Sequence, residues 1–355
     1  MAFSPIIGKI FGIEIELHWS FLLLLVFTLL ISFYVFMLIV LLFICVLFHE
    51  LAHSVTSLRN GVNVRKITLL PIGGVSIIDN ANIEKSIEFN IAIAGPIMSL
   101  FLAGIFGMLA TLSPSGIITQ TMQIMFEMNL LLGVFNLLPA FPMDGGRVFR
   151  SYLQRKKDYY SSTMLTVKAS KFVMGAILFG TFVFLEFDKS FSFSYREFVS
   201  LWNLIIVMFL YSGAQAEGES AKIKKSTAGL NLSDAITKHF ILVNSNMKLS
   251  ELYNVLLKKK EHNVITKLGS TYARVEIYGK ISRKDALYVK DVSIPIPSMQ
   301  AKLPLADALS LMGSREAGMV AVIYKKKFLG VATASSIQTI ISLHMLSKKK
   351  TQGNL

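Results

Sequence analysis

The stretch LLFICVLFHELAHSVTSL, Leu41 to Leu58, decides how this chain is read. Its first half is apolar enough to lie in a lipid bilayer, and its second half carries His49, Glu50 and His53. Hydrocarbon rejects such groups unless they are partnered, so ionisable side chains in a membrane segment mark a site by default. Positions four apart share one face of a helix, so His49 and His53 direct two imidazoles at one point, with Glu50 beside it. This HExxH spacing suits zinc: two neutral imidazoles bind the ion, and the carboxylate takes a proton from water. The chain has only six histidines, so the bland alternative, boundary histidines bonded to backbone, makes their spacing around a Glu a rare accident.

The rest of the composition agrees with a membrane protein. Of 355 residues, 53% are hydrophobic and 16% charged, and the apolar ones are clustered. Residues 19–48 contain no Asp, Glu, Lys or Arg, and further apolar blocks cover roughly 91–110, 121–142, 172–185 and 199–213. Thirty uncharged residues would make a helix of roughly 45 Å, too long for one hydrocarbon core of about 30 Å. Two helices fit if the chain turns near Ser32–Tyr34, which predicts about six spans. The first run is too long for a signal peptide, and the single cysteine, Cys45, says nothing of redox compartment. Cys45 shares the face of His49, yet a fourth protein ligand would close the open position of a catalytic site, so it reads as apolar packing.

Lysine and arginine orient the spans. Arg59, Arg65 and Lys66 follow the second, Arg147, Arg150, Arg155, Lys156 and Lys157 the fourth, and Lys222, Lys224 and Lys225 the sixth. The loop TLSPSGIITQ after the third has no charge. Both termini are therefore expected on the cytoplasmic side of the cell membrane. The net charge of +14 lies beside spans and in the C-terminal third, which suits lipid headgroups rather than nucleic acid. Two stretches near that face alternate as strands do. In GIEIELHW, Ile13, Ile15 and Leu17 alternate with Glu14, Glu16 and His18, and VNVRKITLLPIGGVSII reads as a hairpin through Pro71–Gly74. A small membrane-associated β-sheet follows, with an edge open to another extended chain.

Two histidines do not complete a catalytic zinc site; a third protein ligand is needed. Asp144 is the candidate, in NLLPAFPMDGGR from Asn136 to Arg147. Pro139 and Pro142 break the helix before it, and Gly145 and Gly146 free the backbone after it. Irregular backbone at membrane depth belongs where it lines a cavity or is buried in protein, although an Asp before two glycines also makes an ordinary turn.

HELAH in the second span, with NLLPAFPMDGG in the fourth, resembles the site-2 protease family of intramembrane zinc metalloproteases, and LLPIGGV and IAGPIMSL resemble that family's intervening stretches. The similarity covers roughly residues 7–217, and Ala52 stands where the family often has glycine. The resemblance implies one zinc per chain held by His49, His53 and Asp144, with Glu50 as catalytic base. It also implies that Asn136 holds the substrate backbone or the oxyanion, and that the substrate is a transmembrane protein.

From about residue 231 the texture is that of a soluble α/β domain, with a diverged repeat of near sixty residues. LSDAITKHF… from Leu232 is echoed by VKDVSIPIP… from Val289, each leading to an amphipathic helix, Leu249–Lys260 and Leu305–Arg315. This resembles a tandem pair of CBS domains, which implies ATP, ADP or AMP as a regulatory ligand and self-association of the pair. The family's signature is intact once, as Gly279, Ser282 and Asp285; the second repeat keeps Gly330 and Thr333 but has Ser336 in place of the Asp. A pairing module without ligand is the plain alternative. The expected organisation is a membrane metalloprotease domain over 1–218, a linker over 219–230, a CBS pair over 231–348 and a basic tail over 349–355. A CBS-regulated transporter using His, Glu and Asp as an ion path is the rival class. It leaves the metalloprotease order of those residues unaccounted for, and no inverted repeat is visible among the spans.

Overall fold

The computed structural model describes residues 4–71, 73–78, 84–187, 193–237, 239–259, 263–276, 288–315 and 317–352. The chain divides into two compact units, the first ending at Ala221. In the first, strands β1 (Ile6–Ile10) and β2 (Ile13–Leu17) precede helices α1 (Trp19–Ile31) and α2 (Phe33–Arg59). Strands β3 (Val64–Leu70) and β4 (Gly73–Ile78) follow, then α3 (Lys85–Leu112), α4 (Ile117–Asn136), α5 (Asp144–Leu153), α6 (Tyr159–Phe187) and α7 (Phe193–Ser226).

The uncharged N-terminal run breaks at Ser32, whose backbone is extended between α1 and α2. Among the described residues, five helices are long and apolar enough to cross a membrane: Phe33–Arg59, Lys85–Leu112, Ile117–Asn136, Tyr159–Leu185 and Val199–Ser226. The sixth apolar helix, α1, has 13 residues, about 20 Å at 1.5 Å per residue, which is shorter than the span expected. Leu30, Phe101, Phe172 and Phe179 are exposed along these helices, the pattern of a lipid-facing surface.

The four strands form one sheet in the order β1-β2-β3-β4. The pair β2–β3 is parallel and its crossover is the α1–α2 helical pair, whereas β3–β4 is the expected hairpin. The sheet packs on α1 and α2 through Ile13, Ile67, Leu69, Phe21, Phe43 and Val46. Glu16, expected on a polar face, is buried instead. Lys66 and Thr68 on β3 bond its carboxylate at 2.8 and 3.4 Å, which compensates the desolvation.

The second unit repeats one motif. Strand β5 (Ile241–Val243), helix α8 (Leu249–Lys259), β6 (Val264–Leu268) and β7 (Thr271–Val275) form the first copy. After β8 (Ser293–Pro295), the second copy is β9 (Ser298–Gln300), α9 (Leu305–Ser314), β10 (Met319–Tyr324) and β11 (Lys327–Thr333), closed by α10 (Ala334–Gln352). In each copy the first two strands are parallel and the last two antiparallel. Each copy is preceded by a 3₁₀ turn with a capping box, Leu232–Ala235 and Val289–Val292. These turns are exchanged: Leu232 and Ala235 fill the core under β10, while Val289 and Val292 fill the core under β5 and β6. The expected linker 219–230 is helical as far as Ser226 because α7 continues into it, and AEGESAKIKKS is rich in good helix formers. Residues 349–352 of the expected tail likewise belong to α10.

The exchange makes each copy depend on the turn ahead of the other. Leu232→Ala should destabilise the unit by about 2–5 kcal/mol, the usual cost of emptying a fully buried leucine site. Hydrogen exchange should rise first in β10 and β11; a first rise in β5 and β6 would contradict the exchange.

Candidate metal centre

The C-terminal half of α2 places His49 and His53 one turn apart, their rings edge-on with centroids 4.8 Å apart. Asp144 arrives from the first residue of α5. The three contacting atoms, His49 Nε2, His53 Nε2 and Asp144 Oδ2, lie 3.1–3.2 Å from one another. Four ligands at about 2.0–2.1 Å from a tetrahedral zinc lie roughly 3.3 Å apart, so this spacing is that of a metal's coordination shell. The far side of each ring is engaged. His53 Nδ1 donates to the Ile91 carbonyl at 2.6 Å, and His49 Nδ1 lies 2.8 Å from Ser99 Oγ. A carbonyl has no hydrogen to give, so the proton of neutral His53 is on Nδ1 and a lone pair is on Nε2. That lone pair faces a carboxylate oxygen, an arrangement that repels unless a cation lies between them. The donor set fits zinc.

Helix α3 supplies the wall behind the imidazoles. A Cβ at Gly95 would overlap His49 Nε2 and His53 Nε2, so only glycine lets the helix approach this closely. Pro96 follows inside the helix, removing one backbone donor at the same level. Glu50 is held by the sheet: Ser76 Oγ on β4 donates to Glu50 Oε2 at 2.8 Å, and a Cβ at Gly74 would strike the Glu50 side chain.

The Asp144 segment is buried rather than loose. Ala140, Phe141 and Met143 are in the core, and Phe141 N–H donates to Ser170 Oγ at 2.8 Å. Gly145 and Gly146, read from sequence as freeing the backbone, are ordinary helical residues of α5. Their role is space: a Cβ at Gly145 would meet the Leu137 and Leu138 carbonyls, and one at Gly146 would lie 2.7 Å from Ala140 C. Asn136 ends α4 half-buried, and among the described residues no hydrogen bond ties it to His49, His53 or Asp144. Cys45 is buried on α2 outside the metal cluster. Gly279, Ser282 and Asp285 lie outside the described residues. In the second repeat the Ser336 hydroxyl donates to the Ala235 carbonyl at 2.8 Å.

Sequence reasoning missed a second buried polar centre. Arg150, counted there as a surface charge beside a span, is 5% exposed. Its guanidinium pairs with Glu88 of α3 and, at 2.8 Å, with Glu217 of α7. The only sequence signal was two acids, Glu88 and Glu217, close to apolar runs. Asn129 is fully buried in α4 and donates to the Met125 carbonyl at 2.8 Å.

A membrane-embedded helical bundle that converges HExxH and an aspartate from another helix defines a class, the integral-membrane metallopeptidases. The sequence profile of Peptidase family M50 matches residues 37–117 and 110–179. A zinc metalloprotease of Methanocaldococcus jannaschii is 33% identical over 271 residues, covering 73% of this chain and 74% of the relative. The solved site-2 protease from Methanocaldococcus jannaschii is 32% identical, with a TM-score of 0.44 over 61% of this chain and 95% of that one. The CBS domain of a bacterial CNNM/CorC family Mg2+ transporter, solved with ATP, aligns with 36% of this chain and 97% of its own at 12% identity and a TM-score of 0.31. The chain belongs to Peptidase family M50 and is a multi-pass zinc metalloprotease of the site-2 protease type.

Gly95→Ala should reduce the zinc content of the purified protein several-fold, because a methyl group there occupies the space of both imidazole nitrogens. Gly104→Ala, where a Cβ meets nothing within 4 Å, should leave it unchanged. Equal zinc in both variants would contradict the close approach of α3.

Proposed function

We propose that this protein hydrolyses peptide bonds in or near the transmembrane segments of other membrane proteins. The observation that carries the reading is the convergence of His49, His53 and Asp144 on one point among membrane-spanning helices, with Glu50 beside it. His49, His53 and Asp144 would hold one zinc per chain. When bound, zinc supplies a Lewis acid that polarises a carbonyl and acidifies water. Glu50 takes the proton of the attacking water and passes it to the leaving amine. Asn136, at the end of α4, is assigned to the substrate backbone or the oxyanion.

A helical amide is covered by its own hydrogen bond, so the substrate must unwind before attack. Strand β4 is the sheet edge beside Glu50, and an extended segment added to it would lie against the base. The basic residues after the second, fourth and sixth apolar helices support cytoplasmic termini in the cell membrane. Arg150 no longer contributes to that pattern, but Arg147, Arg155, Lys156 and Lys157 do.

The second unit is read as a cytoplasmic CBS pair that binds adenine nucleotide, self-associates and tunes the protease. Its duplicated β-α-β-β topology supports the pairing. A cavity of about 440 Å³ with Arg274 and Arg315 among its lining residues suits a phosphorylated ligand. The sequence signature assigns the ribose contact to Asp285. Ser336, the corresponding residue of the second repeat, is already bonded to Ala235, so binding should be asymmetric.

Glu50→Gln should retain zinc and lose cleavage of single-span membrane proteins by about 10²–10⁴-fold, the usual contribution of a general base. Asp144→Ala should lose both zinc and cleavage. Undiminished proteolysis by Glu50→Gln would overturn the mechanism. For the nucleotide, titration calorimetry of the full-length protein with ATP, ADP and AMP should give heat that Asp285→Ala removes and Ser336→Ala preserves. Equal loss in both variants, or no heat with any of the three, would reduce the unit to a pairing module.

A further inference from the structure

On one face of α3 lie Lys85, Glu88, Ile91, Gly95 and Ser99, spaced by three or four residues. The last three serve the imidazoles: Ile91 and Ser99 bond the outer nitrogens of His53 and His49, and Gly95 lies against both rings. The first two serve α5. Arg150 Nε donates to Glu88 Oε1 at 3.0 Å, with a second, shorter bond from Nη2 to the same oxygen. Gln154 Nε2 donates to Glu88 Oε2 at 3.1 Å, and Ser151 Oγ donates to the Lys85 carbonyl. One helix therefore holds the two histidines at one level and the helix of the aspartate at another.

We propose that the Arg150–Glu88 pair is a positioning device that sets Asp144 in register with His49 and His53. This rests on the metal reading above. Among the described residues, and apart from Asp144 itself, the side-chain bonds from α5 to other helices go to α3, α6 and α7. The imidazoles, in contrast, are on α2. The glycine contacts of α5 fasten it only to the turn that precedes it. Alignment of the third ligand with the first two thus passes through α3, and Arg150 is the strongest link in that path.

Three features favour alignment over bulk stability. A buried ion pair adds little net stability compared with apolar packing, because desolvation offsets its attraction. A guanidinium does fix direction, since its planar fork holds a carboxylate at a set angle. The fork also packs on two rings, the Phe141 and Tyr159 centroids each 5.0 Å from its central carbon. Asp144 lies six residues away on the same helix, about 9 Å along the axis at 1.5 Å per residue. A tilt of α5 at Arg150 therefore moves the carboxylate out of the coordination shell.

The test is made on full-length protein in detergent. Zinc affinity is read by chelator competition, and site geometry by the visible spectrum of the cobalt-substituted protein. Arg150→Met and Glu88→Gln should each weaken zinc about 10–100-fold, the range seen for residues that orient a ligand, and should alter the cobalt bands. Arg150→Lys should recover part of the loss, because an ammonium can pair with Glu88 without the fork. Glu217→Gln, which removes only the α7 arm, should leave zinc affinity and spectrum at wild-type values. Glu88→Gln is nearly isosteric and carries the test if Arg150→Met does not fold. Wild-type affinity and spectrum in both Arg150→Met and Glu88→Gln would overturn the proposal. So would an equal loss in Glu217→Gln, which would mean that the cluster only holds the bundle together. Absence of zinc from the wild type, or its full retention by Asp144→Ala, would instead overturn the metal reading itself.

Discussion

Three electron-pair donors directed at one another inside a helical bundle cannot be stable on their own account. His49, His53 and Asp144 place two imidazole nitrogens and a carboxylate oxygen within 3.2 Å. In surroundings poor in water, a metal ion or an added proton between them relieves that repulsion. Much of the first unit serves this constraint. Gly95 brings a helix backbone against the rings, Ser99 and Ile91 hold their outer nitrogens, and the tightly packed turn before α5 delivers the aspartate. Glu50, next to His49 in the sequence, is held by the β4 edge through Ser76. Glu50 and the strand edge are thus one construction, so an extended segment added to that edge would lie beside the Glu50 carboxylate.

The sheet and the bundle meet the same rule in different ways. Backbone polar groups in lipid must be satisfied internally, and the helices do so by themselves. The Pro139–Met143 turn does so by burial, with Ser170 bonding the Phe141 amide. Charged side chains need partners as well. Glu16 finds Lys66 across the strand pair, and Arg150 finds Glu88 and Glu217 across three helices. Such groups are costly to bury, and their geometry gives orientation in return. In the second unit, orientation comes from apolar exchange instead. Each repeat lends its leading 3₁₀ turn to the core of the other, so the two copies are expected to fold as one.

The amino-acid sequence by itself determined whatever depends on local period and composition. Four-residue spacing put His49 and His53 on one face in any helix, and thirty uncharged residues had to break, which they do at Ser32. Alternation and Pro71 made the β3–β4 hairpin, and the near-sixty-residue echo made two β-α-β-β copies. The need for a third ligand and the broken helix before Asp144 made that residue the candidate, the resemblance pointed to the same pairing, and the structure brings the three side chains together. Tertiary structure decided what depends on a neighbour far along the chain. Arg150 looked like a surface charge because Glu88 and Glu217 are more than sixty residues from it in either direction. Gly145 and Gly146 looked like residues that free the backbone, although the carbonyls that exclude a side chain there belong to the turn they pack against. Gly95 and Gly74 carry no signal of their own in the sequence, since nothing near them shows that imidazoles and Glu50 occupy the missing volume. A charge pair or an excluded methyl is a relation between two distant segments, and only the folded chain brings both to one place.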